Sequence, residues 1–135
     1  MIFHSEGVLI AQLLCASFLA VLFLQSGLDK VLDWKGNRAY IDSVFEKSPL
    51  KRLSPLLMLG ITLLEVTSGA VSAAGVLSLL LLRQPNTAFV GACLAGLSIV
   101  SLFFGQRMAK DYAGAASLVP YFLVTVTGVL VTSLR

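Results

Sequence analysis

Phe104-Gly105-Gln106-Arg107-Met108-Ala109-Lys110-Asp111-Tyr112 sets Gln106, Arg107, Lys110 and Asp111 between two apolar segments, and nothing else in the second half of the chain is so polar. Charges that close to a bilayer need partners or water. The stretch therefore reads as a turn between two membrane spans, either a topogenic anchor or part of a site. The first half supplies groups to meet it in Gln25, Asp29, Lys30 and Glu65.

Outward from this turn the chain is built of long apolar runs: residues 88–104 before it, 113–134 after it, and 7–28 and 55–82 further upstream. A helix needs roughly 20 residues to cross the hydrocarbon core, so each run is long enough to span once. The run 55–82 exceeds that need and has to tilt, kink or protrude. Composition agrees, with 57 % hydrophobic and 13 % charged residues and a mean hydropathy of +0.90. These values exclude a soluble domain of this size. The expected fold is all-α: a single transmembrane domain over residues 1–135, an integral membrane four-helix bundle with a short interfacial amphipathic helix between spans one and two.

The net charge of +3 and pI near 9.1 follow topology and give no support to nucleic-acid binding. Lys30, Lys35, Arg38, Lys47, Lys51 and Arg52 fall between spans one and two, and Arg107 and Lys110 between three and four. Only Arg83 and Arg135 remain for the other side. The positive-inside rule then puts both polar connections in the cytoplasm and both termini outside, in a multi-pass protein of the cell inner membrane. Residues 1–6 carry no Lys or Arg, so the first run is expected to stay as a span rather than leave as a signal peptide.

Ser5 is a candidate N-cap for the first span, with Glu6 suited to the positive end of its dipole. At the other end Gln25 and Asp29, four residues apart, share a helical face. Within the long connection Trp34, Ile41, Val44 and Phe45 recur at helical spacing, with Asp42, Glu46 and Lys47 opposite. An interfacial helix over about 37–47 is expected, with Gly36 and Asn37 breaking and capping its start. Glu65 is the one acid deep in an apolar run. By translocon scales such a carboxylate costs roughly 2.5–3.5 kcal/mol at mid-helix, so it needs a partner, a proton or a cavity. Lys30 and Arg107 are its natural partners. Small residues at Gly69 and Ala73, and at Ala88, Ala92 and Gly96, mark close helix contacts. Pro120 is positioned to kink the last span.

Gln25, Asp29, Lys30, Glu65, Gln106, Arg107 and Asp111 thus make a candidate polar mouth at the cytoplasmic end. It reads either as a pocket for a headgroup, a quinone ring or an anionic solute, or as a salt-bridge network that clamps the helices. Cys15 and Cys93 lie at matched depth, about 21 and 18 Å below that end at 1.5 Å per residue. With no CxxC they are expected to be unlinked packing residues. No second His or Cys stands at ligand spacing to His4, so no metal site is expected.

Phe23-Leu24-Gln25-Ser26-Gly27-Leu28-Asp29-Lys30, Glu65 with its following small residues, and the run from Gly105 to Gly114 resemble the DoxX-like family of small four-helix membrane proteins, over most of the chain from about Leu14 to Leu134. A Gly-x-x-Lys pattern maps onto Gly27 and Lys30, and the acid of the second helix onto Glu65. The resemblance implies a membrane component associated with an oxidoreductase system, with quinone or lipid as ligand and an oxidoreductase subunit as partner. The spans lack a histidine pair to hold a haem, so the chain resembles a partner subunit more than a catalyst. Two other classes stay open: a proton-coupled small-solute transporter using Glu65, and a structural assembly factor, alone or as a homo-oligomer.

Overall fold

The computed structural model describes residues 2–134, with side chains from His4 to Leu134. Its elements are α1 (Ile2–Leu32), α2 (Trp34–Val44), a 3-10 turn (Lys51–Leu53), α3 (Ser54–Leu82), α4 (Asn86–Met108), α5 (Tyr112–Ser117) and α6 (Val119–Thr132). The described residues are all-helical apart from turns, and four helical stretches are long and apolar enough to cross a membrane: 4–32, 51–82, 86–108 and 112–132.

Each expected apolar run forms a long helical stretch, with shifted ends. The first runs from Ile2 to Leu32 instead of 7–28, because no proline or left-handed residue interrupts it and a Cβ at Gly7 would meet nothing. Ser5 consequently lies inside the helix instead of capping it. The third continues past 104 to Met108, which puts Gln106 and Arg107 in its last turn. Lys110 then adopts φ 60°, and the Asp111 N–H returns to the Gln106 carbonyl at 2.8 Å, the left-handed closure that ends many helices. The fourth divides into α5 and α6 at Leu118. Pro120 has no N–H for the Ala116 carbonyl, so the chain rewinds with Pro120 in the first turn of α6.

The amphipathic helix lies at 34–44, three residues ahead of the expected 37–47. Asp33 is its N-cap and accepts the Gly36 N–H at 3.2 Å. Asn37 Nδ2 donates to the Asp33 carbonyl at 2.9 Å. Gly36 therefore sits within the first turn, where a Cβ would press on the Asp33 carboxylate, and it does not break the helix.

Polar contacts at both ends show the four long helical stretches alternating in direction. Lys30 meets Glu65 near the end of α1, and Glu6 meets Arg83 at 3.1 Å at the opposite end. There too, Gln12 Nε2 donates to the carbonyls of Val131 and Leu134 at 2.9 and 3.0 Å. The Ser48 hydroxyl donates to the Met108 carbonyl at 3.4 Å, so the charged loop and the 109–111 turn share one end of the molecule.

The interior mixes apolar side chains, Leu19, Phe23, Met58, Leu79 and Ile99 among them, with polar Gln12, Thr62, Glu65, Ser68, Ser72, Ser98 and Thr125, while Leu14, Val21, Leu63, Leu81, Leu97 and Leu130 face outward. Small residues let the helix backbones approach closely. A Cβ at Gly69 would lie 2.6 Å from the Leu24 amide nitrogen, and one at Gly75 2.6 Å from the Ala88 Cα. Thr62, Ser98 and Thr125 satisfy their hydroxyls on carbonyls three or four residues back, and Ser68 also meets Ser98 at 3.0 Å. Cys15 on α1 and Cys93 on α4 are both free thiols.

Candidate functional site

The seven candidate residues share one end of the molecule but do not form one cluster. On α1, Gly27 and Lys30 lie on the side that faces α3, and Gly27 lets the backbones close up: a Cβ there would meet the Val66 amide at 3.0 Å. That approach brings Lys30 Nζ to Glu65 Oε2 at 2.8 Å, with side-chain exposures of 15 % and 2 %. Ser26 Oγ accepts a second hydrogen bond from Nζ at 3.1 Å. Of the two cations expected for Glu65, Lys30 makes the contact. The ammonium keeps a path to water while the carboxylate has none.

The other five have separate surroundings. Gln25 and Asp29 are exposed on the outer face of α1, where Gln25 lines a shallow groove with Phe18 and Tyr121. Arg107 is exposed and lies over the Tyr112 ring at 4.5 Å, a cation–π contact. Asp111 caps α5 by accepting the Gly114 N–H at 3.1 Å. Gln106 borders a cavity walled by three elements.

That cavity, about 320 Å³, lies beneath α2. Ile41, Val44 and Phe45 form its roof, Leu57, Gly60, Ile61 and Leu64 of α3 one wall, and Ser101, Leu102 and Gln106 of α4 the other. One polar contact ties the roof to α3, and a second lies within α2. Ser54 Oγ donates to Asp42 Oδ1 at 2.8 Å, and Arg38 pairs with Asp42 at 3.3 Å. The Ser54 hydroxyl bond, helped by Arg38 and opposed by partial burial, holds the Asp42 carboxyl below its ordinary range. Buried Phe45 packs against α4 where Gly105 leaves room, 3.4 Å from a would-be Cβ. Gln106 Oε1 is shut off from solvent and has no hydrogen-bond partner among the described residues. Such an orphan is uncommon in a packed interior.

Sequence reading did not find this cavity, because its walls come from three elements far apart in the chain. Its traces were Gly60 and Gly105, two glycines in apolar helix ends, and an amphipathic α2 whose apolar face needed a neighbour. Among the described residues no group of His, Cys, Asp and Glu is placed to hold a metal. No family model, no curated protein and no solved structure matches this chain.

Proposed function

We propose that this chain is a multi-pass inner-membrane protein, a four-helix bundle that binds a membrane-soluble small molecule, a quinone or a lipid, beneath α2 at its cytoplasmic end. In this reading it serves as a DoxX-like component of an oxidoreductase system, a partner subunit and not a catalyst. The observation that carries the proposal is the cavity of about 320 Å³, in the size range of small-molecule sites, bordered by a carboxamide with an unpartnered buried oxygen. The 2.8 Å contact between Lys30 and Glu65 favours a clamp that fixes α1 on α3 over a carboxylate that titrates during transport, so the transporter reading ranks second.

The experiment is photolabelling of the reconstituted protein with a diazirine-bearing alkyl probe, followed by peptide mapping. Labels are expected to concentrate on residues 40–50, 56–64 and 101–106, and to be lost from them in Gly60→Phe. Gly60 lines the cavity, and a Cβ there meets nothing within 4 Å, so the larger side chain fills space without moving backbone. Labels spread evenly over the outward leucines of all four spans would refute the site.

A further inference from the structure

Resting on the reading of the α2 cavity as a ligand site, we infer that its occupant is uncharged: an apolar chain or ring bearing a neutral hydroxyl or carbonyl head. Not one of the side chains lining the cavity is charged. The charges nearest to its walls along the chain are engaged or outside. Asp42, next to Ile41, is held by Ser54 and Arg38. Arg107, next to Gln106, lies over Tyr112. Lys51 and Arg52, which follow Leu50, are exposed and not part of the lining. The buried ion pair of Lys30 and Glu65 closes on itself. A phosphate, carboxylate or ammonium entering this space would leave water and find no counter-charge, which is prohibitive in an apolar enclosure.

Neutral polar groups are present. Ser101 Oγ spends its proton on the Leu97 carbonyl at 2.8 Å and can still accept. Gln106 Oε1 is closed off from solvent, and a rotation of the side chain brings its carboxamide, an acceptor and a donor, to the cavity that Gln106 borders. A hydroxyl or carbonyl head therefore satisfies Gln106, whereas a pure hydrocarbon leaves it unpartnered. The volume of about 320 Å³ holds roughly ten groups of water size at about 30 Å³ each. That is a substituted ring, or the head end of a chain whose remainder leaves past the exposed rim residues Tyr40, Leu56 and Phe104.

The chain has three tyrosines, of which Tyr40 lines this cavity and Tyr112 and Tyr121 do not. Protein labelled with 3-fluorotyrosine thus carries one reporter and two internal references for 19F NMR in detergent micelles. The probes are 1-decanol, decanoate, decyltrimethylammonium and decane, compared as mole fractions in the micelle. Decanol is expected to shift the Tyr40 resonance saturably, with a midpoint at least tenfold below those of decanoate and decyltrimethylammonium and severalfold below that of decane. Gln106→Leu should move the decanol midpoint to that of decane, and Gly60→Phe should abolish saturation with every probe. If either charged probe matches or exceeds decanol, or if Gln106→Leu leaves decanol unaffected, the inference is overturned while the site stands. If no probe shifts Tyr40, or Gly60→Phe changes nothing, the site reading itself fails.

Discussion

Removing either partner of the Lys30–Glu65 pair is expected to destabilise the protein, and unequally. Glu65 is 1 % exposed and the Lys30 side chain 15 % exposed. Lys30→Met leaves a carboxylate with no counter-charge where water does not reach, a defect that costs about 3–5 kcal/mol. Glu65→Gln leaves an ammonium that still has Ser26 Oγ at 3.1 Å, a carboxamide oxygen in place of the carboxylate, and its path to water. Its loss should be about 1–3 kcal/mol, the scale of one charge-assisted hydrogen bond. The double variant Lys30→Met with Glu65→Leu restores an apolar contact of similar volume and should recover most of the loss, since such replacements are often neutral. Unfolding in mixed micelles at rising SDS fraction, followed by far-ultraviolet circular dichroism, measures all three. Equal costs for the single variants would refute the asymmetry. A double variant at least as unstable as Lys30→Met alone would refute the pairing itself.

Gly75→Ala forces a Cβ to 2.6 Å from the Ala88 Cα and should cost about 1–3 kcal/mol by overpacking. In the same assay Gly60→Ala should be neutral or stabilising by up to about 1 kcal/mol. The Asp42 carboxyl lies below its ordinary value of 3.8 in the folded protein. Its contribution to anchoring α2 is therefore present above that value and lost as pH falls through the lowered one. Ser54→Ala should move its titration back up toward the ordinary value, as read by carboxyl 13C NMR. For orientation, a membrane-impermeant maleimide added outside intact cells should modify Ser5→Cys and spare Lys47→Cys in a background lacking Cys15 and Cys93, and the reverse pattern would invert the topology.

The four long apolar helices were legible because hydropathy over twenty residues survives any detail of packing. That Glu65 needs a cation was legible too, from the energetic cost of a carboxylate in that setting. Choosing Lys30 over Arg107 required helix phase: Gly27 and Lys30 share the side that meets α3, whereas Arg107 falls on an exposed face of α4. Gln25 and Asp29 were correctly placed on one face, but that face points outward. The start of α2 was misplaced because Gly36 was read as a breaker, when Asp33 had already supplied the cap. The cavity depends on how α2 folds back over α3 and α4, a relation among distant segments that local periodicity does not encode.

Lys30 and Glu65 lie 35 residues apart, and this gives the chain a direction of assembly. As synthesis runs from the N-terminus, α1 is complete before its acid exists. The ammonium can wait near water at the helix end, whereas a carboxylate waiting in α3 could not. Glu65 thus arrives with its partner already in place. A circularly permuted chain that placed α3 ahead of α1 would have Glu65 made before Lys30, and would pass through a stage in which a carboxylate stands among apolar residues without its cation.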